Sequence, residues 1–512
     1  MIKNNKNHPE RRFKSTAYTH IITKTYYLSK GELENTNSLN DYSMKNFSIT
    51  GTYTDLYQLT MAQVYYLTGK SHYKAVFDYF FRKLPFEGGY TVFAGLADLL
   101  EILEELHFTK EDIDYLKDIG LNARFANSLE NFRFQGTIRA ANEGEIVFPN
   151  EPLVRVEGNI LEAQIVETLL LNLLNFQSLI ATKAARMRSV AGNRILSDFG
   201  LRRAQGVGGY HATRASIVGG FNATSNVKAA CDFDIPTVGT MAHSFIQSYD
   251  NELSAFRDFA AHRPEHCVLL VDTYDTLKSG VPNAITVARE MEQQSHPLQG
   301  VRLDSGDLAY LSKQTRKMLD AAGLHNVKIT ASNQLDEWVI KSLVDQQAPI
   351  DVFGVGTSLV TGPPDAALDG VYKLAYADGK PRIKLSENLK KITLPDKKQV
   401  SRILNEAGTF FGADVITCDD DKDPVIMYHP SEPDKSLNLT ELKQEALLHK
   451  VMENGKILDK HPSLKEIAAY CQKRLKMVPE EHKRFNNPHI YKVGISEKLR
   501  DERNQLKNQY KR

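Results

Sequence analysis

The side chains best suited to binding chemistry are concentrated between Leu196 and Val227, in LSDFGLRRAQGVGGYHATRASIVGGFNATSNV. These 32 residues hold one carboxylate, Asp198, the aromatic Phe199, two adjacent guanidiniums, Arg202 and Arg203, and six glycines. Guanidinium forks match planar oxyanions, and glycines let backbone N–H groups close on them. The chemistry implied is recognition of an anionic, ring-containing small molecule.

Four further clusters extend this picture. In GVRLDSGDL, Arg302 and Asp304 stand two apart and leave the same face of a strand. An Arg beside an Asp is most often a structural ion pair. Here the pair closes a strand and meets Ser305-Gly306-Asp307, which suits a phosphate on Arg302 and ribose hydroxyls or hydrated Mg²⁺ on Asp304. VDTYDT sets Asp272 and Asp275 at another strand end, as metal or ribose contacts or as helix caps. FGVGTS offers Gly354, Gly356, Thr357 and Ser358 as a phosphate cradle, although a lone GxGT is often only a turn. His243, in GTMAHSF, is an isolated imidazole beside Gly239, Thr240 and Ser244, open enough to accept or carry a proton.

The elements that must position these groups follow from periodicity. Helical spacing covers Tyr53 to Leu67, Leu96 to Leu106 and Lys110 to Ile119, and a long helix without Gly or Pro runs from about Ile160 to Ala191. Ala75 to Pro85 is strand-like, Phe132 to Gly158 reads as short antiparallel strands, and Asp378-Gly379 centres a hairpin. Seven β-rich runs then alternate with helical patterns, at 194–199, 222–226, 235–240, 267–273, 300–305, 327–332 and 350–356. Repeated βα units predict parallel strands in an irregular, TIM-like α/β barrel, with chemistry at the C-terminal strand ends. Every candidate cluster falls at such an end.

The expected organisation is an extension over 1–45, an α+β N-terminal domain over 46–192, a barrel over 193–370 and C-terminal strands and helices over 371–512 that pack back on it. The extension is basic and acid-poor, reads as disordered, and leaves Met44 as a candidate second start. A formal net charge of +1 gives no electrostatic reason for nucleic acid or an anionic membrane as partner. Four scattered cysteines without a CxxC pair fit a reducing, cytoplasmic setting, and no run is long and apolar enough for a membrane span.

TDLYQLTMA, DFGLRRAQG, GGFNATSNV, GTMAHSF, VDTYDT, GVRLDSGDL and FGVGTSLVT, in that order, resemble the nicotinate phosphoribosyltransferase family, a type II phosphoribosyltransferase, over about Phe47 to Arg500. The resemblance implies a homodimer with shared sites. It also implies nicotinate mononucleotide made from nicotinate and phosphoribosyl pyrophosphate, with Mg²⁺ and with ATP hydrolysed through a phosphohistidine. Tyr57 would then reach across the dimer to the pyridine ring opposite Phe199, with Arg202 and Thr240 near nicotinate. Arg302, Gly356 and Thr357 would bind the phosphosugar, Asp272 and Asp304 would lie near Mg²⁺ and ribose, and His243 would carry the phosphoryl group. The nicotinamide-using relative has an acid where this chain has Ser225, which favours a carboxylate substrate here. A non-catalytic, nucleotide-sensing barrel is the alternative from a different class. The roles of Lys183, Arg186, Arg203 and His211 stay open at this stage.

Overall fold

The computed structural model describes residues 48–387, 391–432 and 434–510; the expected extension over 1–45 lies outside them. Helix α1 (Leu56–Leu67) opens at Asp55, whose side chain makes no cap and instead accepts from Thr168 Oγ at 2.9 Å. Helix α2 (Leu96–Glu105) begins after Gly95, which takes a left-handed φ of 95°. The expected long helix is two, Ile160–Ile165 and α3 (Glu167–Ala191), separated by a turn at Val166. Gln164 and Glu167, on either side of that turn, both bond Gln58 of α1.

A seven-stranded antiparallel sheet backs this helical layer. Its third strand, Lys74–Phe81, pairs on one side with Val154–Asn159, the central strand, and on the other with Gly370–Ala377. The partner strand 370–377 turns back at Asp378 and Gly379, both at positive φ, as the hairpin signal requires. Strand His449–Glu453 also joins this sheet, so late segments of the chain complete its early layer.

The catalytic candidates sit on a second sheet, all parallel: β1 (Ile195–Asp198), followed by helix α4 (Gly208–Val218), β2 (Ala223–Thr224), β3 (Val268–Leu270), β4 (Gly300–Leu303), β5 (Lys328–Ser332) and β6 (Val352–Val355). The spatial order is β2-β1-β6-β5-β4-β3. Helix α5 (His243–Gln247) follows β2 in sequence. Six of the seven expected runs form strands. The seventh, 235–240, makes only an isolated parallel bridge, Thr237 to Thr224, because Pro236 has no N–H to give a ladder. Among the described residues the parallel strands form a half-barrel, and no ladder joins β2 to β3.

A third, mixed sheet follows, and the final helix, Glu497–Tyr510, docks on it through fully buried Leu499 rather than standing free in solvent. Helix α6 (Leu464–Met477) carries a Ser463/Glu466 capping box. Buried ion pairs join the sheets. Arg402, wholly buried, pairs with Asp414 at 2.8 Å and Glu145 at 2.6 Å, and Lys398 pairs with Asp78 at 2.8 Å.

Glu151 lies against this network, fully buried, accepting the Phe148 amide at 2.7 Å. Burial, reinforced by the neighbouring Asp414 carboxylate, holds its carboxyl well above the usual range. The folded protein thus keeps a proton that the unfolded chain gives up, so stability falls as pH rises above the ordinary glutamate range. Glu151→Gln removes this penalty. Its melting temperature relative to wild type should climb between about pH 5 and pH 8, at up to roughly 1.4 kcal/mol of stability per pH unit. Calorimetry showing a constant difference would refute this account.

Candidate active site

Asp198 ends β1 and is buried. Its carboxylate accepts from the Gly200 amide (2.8 Å), Thr213 Oγ (2.7 Å) and Thr224 Oγ (2.9 Å). Burial pushes its carboxyl up, and these three donors oppose the shift. It is therefore a structural pin, tying the loop after β1 to α4 and β2, and it has no oxygen free for a ligand. The next residue, Phe199, donates its amide to Val355 O at 2.7 Å and lays its ring over β6. A Cβ at Gly354 would stand 2.3 Å from that ring, so this glycine serves close approach of the aromatic.

Arg302, on β4, faces the ring, its guanidinium carbon 5.5 Å from the centroid. Its Nε donates to Ser332 Oγ at 2.8 Å, Nη2 to Asp304 Oδ1 at 2.8 Å and Nη1 to Thr240 Oγ at 3.3 Å. Asp304 also accepts from Ser332 Oγ. Asp272 uses one oxygen on the Asp304 amide (2.9 Å) and Ser305 Oγ (2.5 Å). Its other oxygen is buried without a hydrogen-bond partner. His243 Nδ1 meets Thr273 Oγ at 3.0 Å, and its Nε2 lies 3.9 Å from both that orphaned Asp272 oxygen and Asp304 Oδ2. The imidazole is 38% exposed while the Asp272 side chain is 2% exposed, so the cluster opens outward on the His243 side.

The structure thus brings Phe199, Thr240, His243, Asp272, Arg302 and Asp304 together at the C-terminal ends of the parallel strands. Arg202 and Arg203 extend into solvent from the turn Leu201–Arg203 directly after Phe199, with no partner among the described residues. Ser225 follows β2, its amide bound to Asp198 O at 2.9 Å. Gly356 precedes the short helix Thr357–Thr361, where Thr357 is exposed. Tyr57 is not brought to this cluster within one chain; it stands half-exposed on α1 near Glu167 and Asp55.

Other candidates are accounted for structurally. Asp275 caps the following turn through the Leu277 and Lys278 amides. Lys183 and Arg186 are buried against Glu337, at 2.6 and 3.2 Å. His211 meets Asp98 at 3.3 Å. Sequence reasoning did not single out Thr273 or Ser332. Both occupy polar strand ends, which was the only available signal.

Six parallel strands whose C-terminal ends gather guanidinium, carboxylates and imidazole around an aromatic define an α/β enzyme site for a charged small molecule. Residues 52–175 match the nicotinate phosphoribosyltransferase (NAPRTase) N-terminal domain, residues 195–408 the nicotinate phosphoribosyltransferase (NAPRTase) family and residues 397–503 its C-terminal domain. A nicotinate phosphoribosyltransferase of Bacillus subtilis is 44% identical, covering 89% of this chain and 95% of its own. One from Dictyostelium discoideum is 40% identical, covering 89% and 88%. The crystal structure of human nicotinic acid phosphoribosyltransferase superposes with a TM-score of 0.80 at 31% identity, covering 88% of this chain and 99% of that one. The chain belongs to the nicotinate phosphoribosyltransferase family.

The Gly354–Phe199 contact makes a prediction independent of chemistry. Gly354→Ala should displace the ring and cost about 1–3 kcal/mol by overpacking. Denaturant unfolding measures it, and a wild-type midpoint would show the contact to be dispensable.

Proposed function

We propose that this chain joins nicotinate to phosphoribosyl pyrophosphate, forming nicotinate mononucleotide and pyrophosphate in NAD salvage, with ATP hydrolysed through a phosphohistidine at His243. The observation that carries the proposal is the convergence of Asp304, Asp272 and His243 in one cluster with Arg302, whose guanidinium lies over the Phe199 ring. The pyridine stacks on Phe199, its carboxylate reaching Arg202 and Thr240. The ring nitrogen's electron pair then forms the bond to C1 of the ribose, while the C1–oxygen bond breaks and its pair leaves with pyrophosphate. Arg302 and Thr357 hold the phosphosugar, Asp304 and Asp272 face the ribose side, and Gly356 gives the 5′-phosphate backbone room. The protein's main contribution is alignment and charge placement.

The orphaned, buried oxygen of Asp272 fits a hard cation, and Asp304 supplies a second carboxylate beside it. Mg²⁺ held there would offset the charge of the departing pyrophosphate. In the ATP half-reaction an imidazole nitrogen of His243 attacks the γ-phosphorus, and ADP leaves with the bond's electrons. Thr273 orients the ring for that attack. The phosphoryl group is returned to water after transfer.

Two copies complete the site. Leu56, Tyr57, Val64 and Leu67 expose an apolar stripe on α1 for a second chain to cover, which would carry Tyr57 toward the partner's Phe199. The half-barrel would be closed by the 235–240 segment, and domain limits fall at 46–192, 193–370 and 371–512. No helix among the described residues is long and apolar enough to cross a membrane, which accords with a cytoplasmic enzyme.

Pyrophosphate release with nicotinate or nicotinamide, with and without ATP, tests the proposal. Nicotinate should be preferred by about 10²-fold or more in kcat/KM, since Ser225 places no acid against its carboxylate. Equal use of the two vitamins contradicts it. Ser225→Asp should lower kcat/KM for nicotinate about tenfold or more by like-charge repulsion. Arg302→Ala should reduce kcat about 10²–10³-fold. His243→Ala should keep basal transfer and lose stimulation by ATP; undiminished stimulation removes the phosphohistidine from the scheme.

A further inference from the structure

A cavity of about 430 Å³ lies between α2, the Asn142–Glu143 turn, strand 449–453 and α6, and none of the Phe199 cluster lines it. Its size is that of a small-molecule site, roughly 300–1,000 Å³. Leu96, Leu100, Val451 and Ile467 make its wall mainly apolar.

The polar groups of the wall are nearly all committed. Both oxygens of Glu143 are taken, by the Gly95 amide (2.7 Å), the Ala97 amide (3.0 Å) and the guanidinium of Arg214. The hydroxyl of Tyr470 donates to Glu145 Oε2. His461 differs: its Nε2 is shut off from water and has no hydrogen-bond partner. A buried imidazole nitrogen without a partner carries an unmet cost that a ligand donor would relieve, after a small turn of the ring into the cavity. An anion would lose its hydration with no cation in the wall to pair it, and of the two carboxylates there Glu143 is already neutralised by Arg214 while Glu466 lies exposed, accepting from Ser463.

The cavity is also wired to the site. Glu143 caps the first turn of α2 and holds Arg214 of α4 at 3.0 Å, while Asp98 of α2 holds the same Arg214 at 3.1 Å. One residue earlier on α4, Thr213 donates to Asp198, the pin beneath Phe199. A molecule pressing on Leu96 and Leu100 therefore loads the helix bolted to the floor of the aromatic site.

From this we infer that the cavity is a regulatory site for a neutral, one- or two-ring aromatic molecule bearing a ring N–H or hydroxyl donor. Occupancy there changes affinity for the pyridine substrate. The effect on KM rests on the function proposed above; the binding does not.

Indole is a suitable probe, titrated calorimetrically into the full-length protein with nicotinate saturating. One indole should bind per chain. Val451→Trp, which fills the cavity from a half-buried position, should weaken binding roughly tenfold or more, and His461→Phe, which keeps shape but removes the acceptor, about five- to tenfold. In wild type, indole should shift KM for nicotinate roughly fivefold, with no shift in Val451→Trp. His461→Phe remains the test if Val451→Trp lacks the wild-type melting transition. Failure of indole to bind, displacement by nicotinate, or unchanged affinity in the folded variants overturns the site. Binding without a change in KM overturns the regulatory role, and absence of turnover with either vitamin fails the proposed function alone.

Discussion

The guanidinium of Arg302 organises the ends of the parallel sheet. It rises from β4, reaches Ser332 on β5, Thr240 in the segment beyond β2 and Asp304 in its own loop, and lies against the ring of Phe199 beyond β1. A planar fork with five N–H donors can satisfy several acceptors from different strands at once, which a lysine cannot. Because those acceptors are themselves side chains of the site, the arginine both builds the cluster and brings positive charge to it.

Beneath this contact is a layer with no chemical role of its own. Asp198 spends its carboxylate on Gly200, Thr213 and Thr224, and this fixes where Phe199 can stand. Removing one donor from such a buried carboxylate costs more than the bond itself contributes, because the remaining charge is left in a low-dielectric place. The same logic holds in the buried pairs of Arg402 with Glu145 and Arg214 with Glu143, which join layers that short loops do not connect. Charge deep in this molecule is paired and positional, while charge at the strand ends is left partly open.

The parallel strands were legible because short β-rich runs alternate with helical patterns and end in polar, mostly glycine-bearing loops, and six of the seven runs formed as expected. The run at 235–240 had the right composition and failed to form a ladder because Pro236 lacks a donor. The early antiparallel sheet was only half visible. Its strand 74–81 pairs with residues nearly three hundred positions later, and no local pattern records that pairing. The roles of Lys183 and Arg186 could not be read from the sequence, and the structure buries both against Glu337.

Residue types by themselves determined the kind of chemistry at the strand ends: arginine for oxyanions, paired carboxylates for a sugar or hard cation, and an aromatic for a ring. They also placed Arg302 and Asp304 on one face, since a strand's side chains alternate with period two. Which carboxylate keeps a free oxygen was decided by tertiary structure alone. Asp198 and Asp272 are both strand-end acids in the sequence, but Thr213 and Thr224 saturate the first, while one oxygen of the second is left bare facing His243. Hydrogen-bond saturation depends on neighbours from distant parts of the chain, and only folding assembles them.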